Sequence, residues 1–189
     1  TPFNTKQSGK RIDTKRMYDN LMTKFKFGGI DNPDIYLDET VLRMCYTHRR
    51  MFSMLATQLM KEGQKDKALQ VVEKSLKEIP ATTVPHNYQS GSLDLARVLA
   101  SLDKTKQATE IATALAKNAA EYCAWYTSLS DARLQQNSEE MMYQLYQLND
   151  AIKILETCGQ KDKTASAKMV MFDKLLEQYS TELQSRVSF

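Results

Sequence analysis

The sequence predicts an all-α fold of helical hairpins, about seven helices in number. Only six Gly and four Pro interrupt 189 residues, while Ala, Leu, Lys, Gln, Glu and Met are plentiful, a composition that favours helices over strands and turns. Apolar residues recur at spacings of three and four through most of the chain. Short polar turns separate these stretches, and one of them, GQKDK, occurs twice, at 63–67 and 159–163.

Residues 1–12 are polar and unpatterned and read as a linker or tail; residues 13–189 read as a single α-helical repeat domain. From Asp13 to Phe27, Met17, Tyr18, Leu21, Met22 and Phe25 fall at helical spacing, with Gly28-Gly29 as the stop. Pro33 and its Asp and Asn neighbours form a loop leading to Asp38, an N-cap with Glu39 in the first turn. Val41, Cys45, His48, Phe52, Leu55 and Leu59 then trace one stripe of a long helix ending at Gly63. A partner helix from Lys65 to Ile79 carries Ala68, Leu69, Val72 and Leu76 and stops at Pro80, which completes a hairpin over 38–80.

That hairpin resembles the tetratricopeptide repeat, a 34-residue helix–turn–helix. With residue 49 as position 1, Phe52, Leu55, Ala56, Leu59, Ala68, Val72 and Pro80 take positions 4, 7, 8, 11, 20, 24 and 32. Positions 8 and 20 need small side chains because the paired helices approach most closely there, and both are Ala. The template recurs from Gln89, with Leu95, Ala96, Leu99, Ala108 and Ala112 at positions 7, 8, 11, 20 and 24. Its terminal Pro is replaced by Ala120, so the second helix is expected to run on to Leu129 and the hairpin to cover 89–129. The longer interval makes ATTVPHNY, 81–88, an inserted loop. A third pair over 138–184 runs from Ser138 to Gly159 and from Ala165 to Leu183, a degenerate cap to a short right-handed solenoid.

The chain carries no Gly-rich phosphate loop, HExxH, CxxC or GxSxG, so no catalytic signature points to an enzyme and no cofactor is called for. Net charge is +3, too near balance for a nucleic-acid binder. Cys45, Cys123 and Cys158 read as small buried hydrophobes. Cys45 and His48 share a helical face, but two ligands do not make a structural zinc site, and His48 reads as packed. Trp125, Tyr122 and Tyr126 read as core against the third hairpin.

The cations Arg43, Arg49, Arg50 and Lys61 share the first helix of the first repeat. In tetratricopeptide arrays the inner face is lined from positions 2, 5, 9, 12 and 13 of that helix. These are Arg50, Ser53, Thr57, Met60 and Lys61 here, and Ser90, Leu93, Arg97, Ala100 and Ser101 in the second repeat. Arg50, Ser53, Thr57, Lys61, Leu93 and Arg97 are therefore the candidates for docking a protein or peptide partner, with Arg50, Lys61 and Arg97 presenting cations to carboxylates. The competing reading is a solvated polar face. Met51, Met54 and Met60 suit an adaptable surface or simple core filling. His86, Asn87 and Tyr88 in the inserted loop are further candidates, set against a turn-forming role.

The segment RIDTKRMYDNLMTKFKFGGIDNPDIYLDETVLRM, 11–44, and THRRMFSMLATQL, 47–59, resemble the region after the last span of large bacterial multi-pass membrane proteins. Those proteins are similar to protein O-mannosyltransferases, membrane-embedded enzymes that use a lipid-linked sugar. The resemblance covers most of the chain and implies that residues 1–189 are the soluble C-terminal tail of such a protein. It also implies that the catalytic acid and lipid-phosphate site lie in the membrane portion, with none carried over to this chain, and that the tail faces the periplasm. A start without Met fits an excised piece. Residues 1–61 hold eleven basic and six acidic residues, a balance that suits anionic headgroups at up to ~1 kcal/mol per basic residue. The implied partner is a protein or peptide, or the membrane domain itself.

Overall fold

The computed structural model describes residues 12–187, so all but the last residue of the expected tail at 1–12 lies outside the described residues. Among them the backbone is all-helical, with no strand. Eight α-helices follow in order: α1 (Thr14–Asp19), α2 (Glu39–Lys61), α3 (Lys65–Glu78), α4 (Ser92–Ser101), α5 (Thr105–Thr127), α6 (Asp131–Gln136), α7 (Ser138–Gly159) and α8 (Lys163–Arg186). No helix among the described residues is long and apolar enough to cross a membrane. The chain divides into two compact units, Thr1–Leu102 and Asp103–Phe189. The boundary falls in the α4–α5 turn, so the two helices expected to pair over 89–129 belong to different units.

In the first unit, Asp13 caps α1 by accepting the Arg16 N–H at 3.0 Å. The helix stops earlier than its apolar spacing predicts, because α1 loosens into a π-helical turn, Asn20–Lys24, closed by Phe25 N–H on the Asn20 carbonyl at 3.0 Å. Phe25 is then extended, which frees Phe27 to turn inward against the His48 and Phe52 rings, with centroids 5.9 and 5.7 Å away. Asp38 caps α2 as expected, accepting the Val41 N–H at 2.8 Å. At the other end Gly63 adopts φ +75°, and the Gln64 and Gly63 N–H groups donate to the Leu59 and Met60 carbonyls, the paired bonds of a Schellman stop.

Ala56 and Ala68 are both fully buried, and α2 packs on α3. Pro80 ends α3's run, and α4 seats against both α2 and α3. Its entry is tight: Gly91 has φ +73°, and a Cβ there would meet Ser53 Oγ at 2.4 Å and Arg50 Cα at 3.0 Å.

In the second unit, α5 runs on to Thr127, past the missing proline at Ala120. α7 packs on α5 and α8. α6 is an addition to the expected elements; its Leu134 joins Met141, Leu183 and Val187 in one core cluster. Arg186 ties the end of α8 to this region, donating to Asp131 at 2.7 Å and to the Thr127 carbonyl at 2.7 Å. The two GQKDK turns differ. Gly159 remains the last residue of α7, where a Cβ would lie 3.1 Å from the Ser166 backbone, and α8 begins only at Lys163 under an Asp162 cap.

Tyr122 and Trp125 are corrections to the sequence reading. They are 48 % and 54 % exposed, because the buried face of α5 passes through Ala119, Ala120 and Cys123 and leaves Trp125 opposite it and Tyr122 on its flank.

Candidate interaction surfaces

Arg49 follows Cys45 by four residues and precedes Phe52 by three, so its Cβ lies on the buried stripe of α2. The side chain is fully buried. Nη2 donates to the carbonyls of Ile79 at 2.8 Å and Val84 at 2.6 Å, and Nη1 to that of Pro85 at 3.1 Å. Carbonyl dipoles, with no carboxylate among them, thus hold this cation, and burial lowers its pKa to about 10. The inserted loop is pinned to α2 by these bonds. Grouping Arg49 with the other cations of its helix misses this role; the signal lies in its register with Cys45, Phe52, Ala56 and Leu59.

The loop candidates take structural posts around that clamp. Asn87 caps the short 3-10 turn Tyr88–Ser90, accepting the Ser90 N–H at 2.9 Å. Tyr88 is half-buried. His86 Nδ1 lies 2.9 Å from Ser92 Oγ, which in turn lies 2.7 Å from Ser90 Oγ. A Ser–His contact can serve nucleophilic catalysis, but Ser92 and Ser90 are both fully buried, where no substrate reaches the hydroxyl. Burial, then the Arg49 charge, push the His86 pKa down to about 4.

The six groove candidates meet different fates. Arg50 is exposed, yet its Nε donates to the Gln89 carbonyl at 3.1 Å, with Nη2 bonding the same oxygen. Ser53 is fully buried beneath Gly91, its Oγ donating to the Arg50 carbonyl at 2.9 Å. Thr57 and Leu93 are half-buried, while Lys61 and Arg97 are exposed. Arg97 pairs with Asp94 at 3.2 Å. The start of α4 therefore engages Arg50 and Ser53 from within the unit, and Thr57, Lys61, Leu93 and Arg97 keep contact with solvent. Met51, Met54 and Met60 are half-buried.

His48 is half-buried, with the Phe25 and Phe27 rings edge-on at 6.1 and 5.9 Å. Cys45, Cys123 and Cys158 are free and buried; desolvation raises all three thiol pKa values, that of Cys123 to about 12. Among the described residues no group of three His, Cys, Asp or Glu side chains is placed to hold a metal ion.

The second unit exposes several large aromatic side chains. Tyr122 and Trp125 on α5 share a shallow recess with Asn118 and Glu121, and Tyr143 and Tyr146 on α7 are 59 % and 62 % exposed. A separate groove between α7 and α8, with a volume of about 450 Å³, is lined by Met142, Leu145, Tyr146 and Asn149 and by Leu176, Ser180, Leu183 and Gln184.

Compared with protein families, curated proteins and solved structures, the chain matches none.

Proposed function

We propose that the chain is a non-catalytic helical-repeat scaffold that binds a protein or peptide partner through its second unit. The observation that carries this is the exposure of four large aromatic side chains, Tyr122, Trp125, Tyr143 and Tyr146, on the packed helices α5 and α7. Tyr and Trp gain most from being covered and dominate the energetics of protein interfaces. A photo-crosslinking residue in place of Trp125 tests it in the native cell. A discrete adduct with another polypeptide is expected, and a chain that crosslinks to nothing overturns the reading.

The tetratricopeptide-like register is part of this proposal. Gly63 and Asp103 occupy the same repeat position and share left-handed φ values of +75° and +60°. The residues after them, Gln64 and Lys104, have φ/ψ of −87°/61° and −84°/55°. Two turns forty residues apart therefore share the same local backbone.

The placement is a proposal of the same kind: the extramembrane part of a multi-pass protein resembling the O-mannosyltransferases, facing the periplasm. The basic first third supports it. The upstream reading frame tests it, since several apolar stretches of about 20 residues are expected there and an unrelated gene would remove the link. The engagement of Arg50 and Ser53 by the start of α4 favours a second reading for unit one alone, a structural tail that packs on its own membrane domain or self-associates.

A further inference from the structure

We infer that the recess on α5 receives an arginine side chain of a different polypeptide, its guanidinium laid on the aromatic rings and paired with Glu121. This rests on the reading that unit two binds a partner, and names the chemistry by which that partner is held.

Asn118, Glu121, Tyr122 and Trp125 line the recess. They recur at i, i+3, i+4 and i+7, so one face of α5 presents an amide, a carboxylate and two aromatic rings together. Glu121, Tyr122 and Trp125 are exposed and Asn118 is half-buried. Trp125 is braced from behind. Its ring meets that of Tyr126 at a centroid distance of 4.8 Å and an interplanar angle of 66°, and Tyr126 packs against the core cluster of Leu134, Met141, Leu183 and Val187. An indole already held in place lowers the ordering cost of binding.

The charges decide what fits. Across 118–150 five acidic residues, Glu121, Asp131, Glu139, Glu140 and Asp150, stand against Arg133 alone. Arg186 takes up Asp131, while Glu139 and Glu140 begin α7. Burial first, and then the Glu140 charge, raise the pKa of Tyr126, so that carboxylate acts on the same aromatic group. A face of this kind favours a cation, because the faces of Trp and Tyr rings attract positive charge and Glu121 neutralises it. Glu121 has only a loose partner: Lys117 Nζ lies 3.8 Å away, and both side chains are exposed.

A guanidinium serves the recess better than an ammonium. It is planar, so it can stack flat on a ring and still direct the N–H donors in its plane at a carboxylate and at the Asn118 amide oxygen. A second copy has few arginines to lend. Arg43 and Arg97 pair with Glu39 and Asp94, Arg186 with Asp131 and Glu182, Arg50 is held by the Gln89 carbonyl, and Arg49 is buried among three carbonyls.

The probe is an acetylated and amidated peptide, Gly-Gly-Arg-Gly-Gly, titrated into the intact chain beside its lysine and citrulline counterparts. The chain has one Trp, so its indole N–H resonance reports the recess directly. Saturable shifts are expected there and at the Asn118 side-chain amide. Citrulline, similar in shape but uncharged, should bind at least about tenfold more weakly, and lysine about threefold. Glu121→Gln, at an exposed position, should weaken the arginine peptide by at least about threefold with an unchanged melting curve. No saturable shift, equal binding of the arginine and citrulline peptides, or binding indifferent to Glu121→Gln would overturn the inference. A chain that sediments as a dimer dissolved by Glu121→Gln would also overturn it, showing a second copy in the recess. A photo-crosslinking residue in place of Tyr143, outside the recess, separates this inference from the broader reading. An adduct lost on adding Glu121→Gln supports the arginine seat, whereas one that persists undiminished sinks it and leaves the broader reading standing.

Discussion

Arg49 donates from Nη2 to the carbonyl of Ile79 at 2.8 Å, joining the middle of α2 to the end of α3 across thirty residues. The same guanidinium holds Val84 and Pro85, so one side chain closes the loop that carries the chain toward α4. Removing it would leave three carbonyls without their charged donor and a void behind them. Arg49→Ala should cost about 3–5 kcal/mol, since hydrogen bonds to charged groups and buried unsatisfied acceptors are each worth roughly 1–3 kcal/mol. Denaturant titration measures the loss. Limited proteolysis should show new cleavage within 80–90, and a variant as stable as the wild type would show that the clamp contributes nothing.

His86 makes the stability of this region depend on pH. Its folded pKa is lowered from 6.5 to about 4, first by burial and then by the Arg49 charge; Ser92 faces it from α4. The unfolded chain therefore binds the extra proton between pH 6.5 and 4, and stability falls as pH drops through that window. The contribution is complete above about pH 6.5, and its full loss by pH 4 is on the order of 3 kcal/mol. His86→Asn should flatten this part of the curve. An equal slope in both proteins between pH 7 and 4 would assign the effect to other groups.

Local signals in the sequence are strong where the interaction itself is local. Asp38 and Gly63 mark both ends of α2 because a cap and a left-handed stop involve only neighbouring residues, and the α7–α8 hairpin is legible from periodicity alone. The elements that sequence reasoning misplaces share a different cause. Arg49 reads as one more cation on its helix because the carbonyls that hold it come from residues 79–85, beyond any periodicity window. Tyr122 and Trp125 read as core when aromatic character is weighed above helix rotation, which gives the interior to Ala119, Ala120 and Cys123. α1 ends early because Phe27 is better buried against His48 and Phe52 than kept in helical register. The exposure of Tyr122 and Trp125 becomes visible only once the rotation of α5 is known.

Ala56 tests the closeness of α2 and α3. It and Ala68 are both fully buried on the two helices of this packed pair. Ala56→Leu should overpack the pair and cost about 1–3 kcal/mol, read as a drop in melting temperature. An unchanged melting temperature would mean that the helices have room between them and that the assigned register is wrong.

Gly63 and Gly91 separate backbone strain from close packing. Both have positive φ, +75° and +73°, so replacing either with Ala incurs the left-handed penalty of about 1–2 kcal/mol. At Gly63 nothing lies within 4 Å of the added Cβ, and the strain is the whole effect. At Gly91 the Cβ would stand 2.4 Å from Ser53 Oγ and 3.0 Å from Arg50 Cα. The hydroxyl can rotate away, but the α2 backbone cannot, so α4 must shift on α2 and loosen the Arg50 bond to Gln89. Gly91→Ala should therefore destabilise the chain by more than Gly63→Ala, and amide exchange at the start of α4 should rise in the first variant alone. Adding Ser53→Ala removes the hydroxyl and leaves the backbone contact, so it should recover only part of the loss. Equal destabilisation by the two glycine variants would show that α4 does not press on α2 at this point.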